Sequence, residues 1–148
     1  MFSDEASVGR DDYRGTENPM KMRMLAAAGV LVSAAVHLYL WFDVFRHTDV
    51  VGPAFMLNAV GGTTIAFLLV LWRHWVPLVF AVGFGASTLG AFFIAATVGL
   101  FGVHEHWTGW AVWTAAASEV LAIVAAGTVL LQQNPLRSRT ATREAYLN

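Results

Sequence analysis

Six side chains able to do chemistry stand within or beside long apolar stretches of this chain: His37, Asn58 and Glu119 inside them, and His104, Glu105 and His106 in a segment between two of them. An imidazole and a carboxyl group brought together in apolar surroundings can share a proton or hold a ligand, and an amide beside them can orient it. The same three groups could equally form a hydrogen-bonded clasp between helices. Both readings stand at this point. His37 and Glu119 are the pair that would make either of them.

The 104–106 segment suggests a second chemistry. Imidazole nitrogen suits zinc, copper and iron, and two histidines around a glutamate resemble part of a ligand set for a divalent metal. In an extended segment His104 and His106 point the same way, whereas in a helix they diverge. The zinc-protease motif H-E-x-x-H is absent, because Thr108 stands at the position of its second histidine. Two histidines also fall short of a closed zinc site, so His37, His47, Asp43, Asp49 or Glu105 would have to complete it, with the loops folded over the bundle. Haem is the redox form of this idea, with His37 and either His104 or His106 as its axial ligands. Other catalytic signatures are missing: there is no G-x-S-x-G elbow and no phosphate-binding loop, and Gly83-Phe84-Gly85 lies inside an apolar run.

The elements that must position these residues follow from composition. Of the 148 residues, 57% are hydrophobic and 13% charged, with a mean hydropathy of +0.56. A soluble domain carries about 25% charged residues; this deficit places the chain in a membrane. The net charge of −1 offers no basic surface for nucleic acid. The chain has no cysteine, which excludes disulfides, cysteine-held iron–sulfur clusters and covalently attached c-type haem.

Four apolar runs have the length of membrane-spanning helices: Met24–Phe42, Pro53–Trp72, Val76–Val98 and Trp110–Leu131. They predict an all-α integral membrane protein, an up-down-up-down four-helix bundle joined by short links. Residues 1–23 and 132–148 are expected to be polar tails flanking a transmembrane domain over 24–131. Asn18 and Pro19 make a helix start, and Pro53 falls in the first turn of the second helix, where proline is tolerated. The first apolar run begins too late and runs too long for a signal peptide, so an uncleaved tail before a true anchor is expected.

Orientation follows from the basic residues. Arg10, Arg14, Lys21, Arg23, Arg73, Arg137, Arg139 and Arg143 all fall on one side of a four-span chain, and only Arg46 falls on the other. The positive-inside rule then places both termini in the cytoplasm, in a multi-pass protein of the plasma membrane. Trp41 and the 107–110 segment sit at the outer interface, Trp72 and Trp75 at the inner one. On this orientation His37 lies roughly 7 Å and Glu119 about 13 Å from the outer ends of their helices, at 1.5 Å per residue. Asn58 lies at a depth similar to that of His37, and Ser87 and Thr88 near mid-membrane.

Small residues mark candidate packing faces. Gly29, Ser33, His37 and Trp41 form one stripe on the first helix, and Gly83, Ser87, Ala91, Ala95 and Gly99 form one on the third. On the fourth, Ala115, Ala116 and Ala122 surround Glu119.

The segments His37-Leu38-Tyr39-Leu40-Trp41, 52–60 (GPAFMLNAV), Gly99-Leu100-Phe101-Gly102 and Ser118-Glu119 resemble small four-helix bacterial integral membrane proteins, common in high-GC Gram-positive genomes and without assigned activity. The likeness covers the membrane part and not the tails. It implies the architecture and a plasma-membrane address, and it carries over no functional residue.

The sequence thus points to a small, non-enzymatic binding or accessory component of a larger membrane assembly, in contact with lipid and docking on other membrane subunits or on itself, with a polar site in the outer half of the bundle. One alternative is a haem- or metal-binding redox protein using His37 and the 104–106 segment. The other is an oligomeric proton or solute pathway around His37 and Glu119.

Overall fold

In a computed structural model, which describes residues 18–100 and 108–133, the chain forms four long helices packed on one another. Helix α1 spans Pro19–Leu40 and continues through one π-helical turn, Trp41–Phe45; α2 spans Val51–Leu71, α3 Val76–Thr97 and α4 Trp110–Gln132. At 1.5 Å per residue, 21 to 23 residues reach about 32–35 Å, enough for the hydrocarbon core of a bilayer. Among the described residues there is no β-strand. The expected four-helix membrane bundle is the observed fold.

Each helix begins and ends where local chemistry dictates. Proline at the first position of α1 costs nothing, since that N–H has no helical partner, and Asn18 Oδ1 accepts from the backbone N–H of Met20 at 3.0 Å. The Thr48 hydroxyl donates to Phe45 O (2.6 Å) and so closes the turn before α2. At Trp72 the backbone becomes extended and α2 stops. Gly109 opens α4 at φ 90° and ψ 151°, a backbone region essentially reserved for glycine.

Helix α1 is the hub. It packs most extensively against α4 and α2, while α3 closes on α4 and meets α2 only thinly, although a four-residue link joins them. Glycine permits the closest approach: a Cβ on Gly29 would lie 2.7 Å from Ser118 O. The lipid-facing surface is apolar all round, with Leu57 71% and Leu71 78% exposed, as suits a bilayer and not water.

The two halves of the bundle differ. Toward the end where α1 begins and α4 stops, Val30, Leu69, Leu78, Ala122, Ala126 and Val129 interlock at 0–1% exposure. That half is solid. The other half, bounded by the α1–α2 turn and the start of α4, is hollow.

Two expectations about helix faces are corrected here. The third helix does not pack through Gly83, Ser87 and Ala91, all of which are exposed; Leu78, Ala81, Gly85, Thr88 and Ala95 are buried instead. Four residues rotate about 400° around an α-helix, so a strict four-residue stripe drifts by about 40° per step and cannot stay on one face through five positions. The first helix starts at Pro19, so its boundary lies before residue 24 and Arg23 falls within it, 3% exposed. Arg23 Nη2 donates to Trp72 O (2.7 Å) and His74 O (2.9 Å), and Nε donates to Leu69 O (3.3 Å). A guanidinium there satisfies carbonyls that the end of α2 leaves open and complements its dipole.

Candidate functional site

The hollow half contains a cavity of about 450 Å³ between all four helices, within the range usual for small-molecule sites. His37 of α1, Asn58 of α2, Thr88 of α3 and Glu119 of α4 line it together. The three intramembrane polar residues singled out in the sequence therefore share one space. They do so because each stands on the inward face of its helix at the depth where the solid half gives way to the hollow one.

The floor is a hydrogen-bonded chain. His37 Nδ1 lies 2.8 Å from the carbonyl oxygen of Ser33, one turn earlier in α1. A carbonyl only accepts, so Nδ1 carries the proton and donates it there. Ser33 Oγ lies 3.3 Å from the same nitrogen and donates its own hydrogen to Glu119 Oε1 at 2.9 Å. His37 and Glu119 do not bond directly; Ser33 stands between them. Ser33 is fully buried, Glu119 3% exposed and His37 8% exposed. Gly29, one turn before Ser33, lets α1 approach α4 closely enough for the Ser33–Glu119 bond to form.

Thr88 of α3 lies on the same lining, its hydroxyl donating back to Phe84 O (2.9 Å) and Gly85 O (3.1 Å). Deep in the lining, no hydrogen bond among the described residues engages His37 Nε2 or the side-chain amide of Asn58. With Nδ1 protonated, Nε2 is an acceptor.

Aromatic rings form the walls. Phe55 lies against the His37 ring, centroids 5.2 Å apart, and Phe45 against Phe55 at 4.5 Å. The π turn at the end of α1 carries Phe45 inward, where it is buried, while its neighbours Phe42 and Val44 stay exposed. Tyr39 and Trp110, centroids 5.2 Å apart, lie at the rim. Asp43, also on the π turn, adds a second carboxylate near the mouth.

His104, Glu105 and His106 lie outside the described residues, as do the haem and metal pairings that depend on them. Among the described residues, no three His, Asp or Glu side chains come together as metal ligands. His47 is engaged elsewhere, accepting from Arg46 Nε at 2.9 Å.

Sequence reasoning placed Ser33 on a packing stripe and missed its part in the site. The signal was present: a serine four residues before a histidine faces the same way on a helix. Arg23 was counted only as a topological charge. Its neighbours are set by the end of α2, nearly fifty residues away, and no local pattern reveals them.

The four-helix part of the resemblance noted in the sequence is what the structure shows. Comparison with protein-family models, with curated proteins and with solved structures finds no match to this chain.

Proposed function

We propose that this chain is a non-enzymatic binding component of the plasma membrane, with both termini cytoplasmic, that takes a small solute into the cavity of its outer half. One observation carries the reading. His37 Nε2 and the Asn58 amide, which make no hydrogen bond among the described residues, converge with Glu119 and Thr88 on a largely apolar and aromatic space of about 450 Å³. A largely apolar cavity of this size with a few convergent polar groups is the usual form of a small-molecule site. The solid half beneath supports binding over passage by a single copy, since the cavity ends at the Ser33–Glu119 floor.

The test is a thermal-shift and calorimetric screen of small amphiphiles on the purified protein in nanodiscs, with Ala115→Phe as a cavity-filled control. Ala115 is half-buried on the lining. Saturable stabilisation of the wild type that disappears in Ala115→Phe supports the reading; no saturable binder in the screen refutes it.

A second reading, docking on another membrane subunit or a second copy, has support of its own. A lipid-facing groove between α1 and α4 has the small residues Ala28, Gly29, Ala117 and Ser118 along it, of the kind that let another helix pack closely, flanked by the larger Val32, Trp113 and Leu121. Cross-linking from Ala28→Cys or Ala117→Cys in native membranes tests it; only monomer would count against it. The haem- or metal-binding alternative, through His37 and the 104–106 segment, is tested by an absorption spectrum with metal analysis.

A further inference from the structure

We propose that the ligand of this cavity is an organic cation: a protonated amine carried on a compact apolar body. The inference rests on the binding reading above and names the chemical class that the site selects. Three independent features of the lining agree on it.

The first is charge. Among the described residues, the lining holds two carboxyl groups, Glu119 at the floor and Asp43 near the mouth, and no lysine or arginine. Arg46, on the same end of the bundle, is exposed and engaged with His47. An anion entering this space would meet like charge with no cation to offset it. A cation would meet Glu119, whose one hydrogen bond among the described residues comes from the Ser33 hydroxyl. A carboxylate removed from water and held by a hydroxyl alone is under-compensated, and a positive partner corrects that.

The second is hydrogen-bond polarity. Because Nδ1–H of His37 is committed to Ser33 O, the face that His37 turns to the cavity is an acceptor. Glu119 accepts as well, and Asn58, whose amide has two N–H donors beside one acceptor oxygen, can turn that oxygen toward a donor. The site calls for N–H donors, which an ammonium group supplies three at a time.

The third is the walls. Tyr39, Phe45, Phe55, Phe92 and Trp110 surround the polar floor. Ring faces attract cations, most strongly where water is excluded, and they also pack well against an apolar body. A neutral apolar guest would gain from the walls alone; an amine gains from walls and floor together.

A matched set of probes separates these effects: 1-naphthylmethylammonium, 1-naphthylmethanol and 1-naphthylacetate, titrated calorimetrically into the purified full chain in nanodiscs. All three share one apolar body and differ in the charge of the head. The expected result is at least tenfold tighter binding of the ammonium than of the alcohol, and no saturable binding of the acetate. Glu119→Gln, which keeps shape and removes charge, should reduce ammonium binding at least tenfold and alcohol binding by much less. Binding of the alcohol or the acetate as tight as that of the ammonium would overturn the cation class while leaving the cavity as a binding site. No binding by any of the three would overturn both readings. The wild-type comparison needs no variant, so the test stands even where Glu119→Gln does not fold.

Discussion

The floor of the cavity exists only because α1 and α4 come unusually close, and one glycine sets that distance. A Cβ placed on Gly29 would sit 2.7 Å from Ser118 O, 3.1 Å from Ala122 N and 3.3 Å from Ala122 Cβ. Two of those atoms are backbone, so no side chain can swing aside. Relaxing the tightest contact to an ordinary 3.4 Å requires the helices to separate by about 0.7 Å. Ser33 lies one turn along the same face, and its bond to Glu119 would stretch from 2.9 Å to about 3.6 Å, beyond hydrogen-bond range. Gly29→Ala should therefore lose close packing and the Ser33–Glu119 bond together. Overpacking of this kind costs about 1–3 kcal/mol, and the lost bond adds about 1–3 kcal/mol by leaving a buried carboxyl group less satisfied. The control is Gly83→Ala, where a Cβ meets nothing within 4 Å; it should be neutral or, through helix propensity, stabilising by up to about 1 kcal/mol. The assay is reversible unfolding in mixed micelles, followed by tryptophan fluorescence. Equal behaviour of the two variants, or an unchanged Gly29→Ala, would refute the claim that this contact sets the α1–α4 distance.

Other outcomes follow from single groups. Histidine 15N NMR should find His37 protonated at Nδ1, because Ser33 O can only accept; an Nε2-protonated ring would contradict this geometry. Ser33→Ala should destabilise the bundle by about 1–3 kcal/mol through the lost hydroxyl while leaving that tautomer in place, since the carbonyl partner remains. Replacing Arg23 should rank wild type above Lys above Met, over a span on the order of 2–4 kcal/mol, because only a planar fork reaches Trp72 O and His74 O from one nitrogen and Leu69 O from another; a Lys variant as stable as wild type would show that charge alone suffices. The absence of cysteine allows clean topology mapping: Asp49→Cys should react with an impermeant maleimide on intact cells and Arg73→Cys only after lysis, and the reverse pattern would invert the orientation.

The sequence by itself determined the class of this protein. Helix length and hydropathy are local properties, so runs of apolar residues locate spans whatever their neighbours do, and Asn18-Pro19 marks the first start by backbone chemistry alone. Residues on the inward face of α1 were also legible, because Gly29, Ser33 and His37 cover only two turns and the helical drift over that distance is small. Over the four turns from Gly83 to Gly99 the same rule failed on α3, where drift leaves Gly83 and Ser87 exposed, Ala91 on the cavity and Ala95 buried. What tertiary structure decided was pairing between helices: Ser33 between His37 and Glu119, Arg23 on the end of α2, and the division into a solid and a hollow half. In a bundle where nearly every side chain is apolar, the pattern that tells core from surface in water is missing. Which faces meet depends on where glycine and alanine let backbones approach, and that is a property of two helices at once.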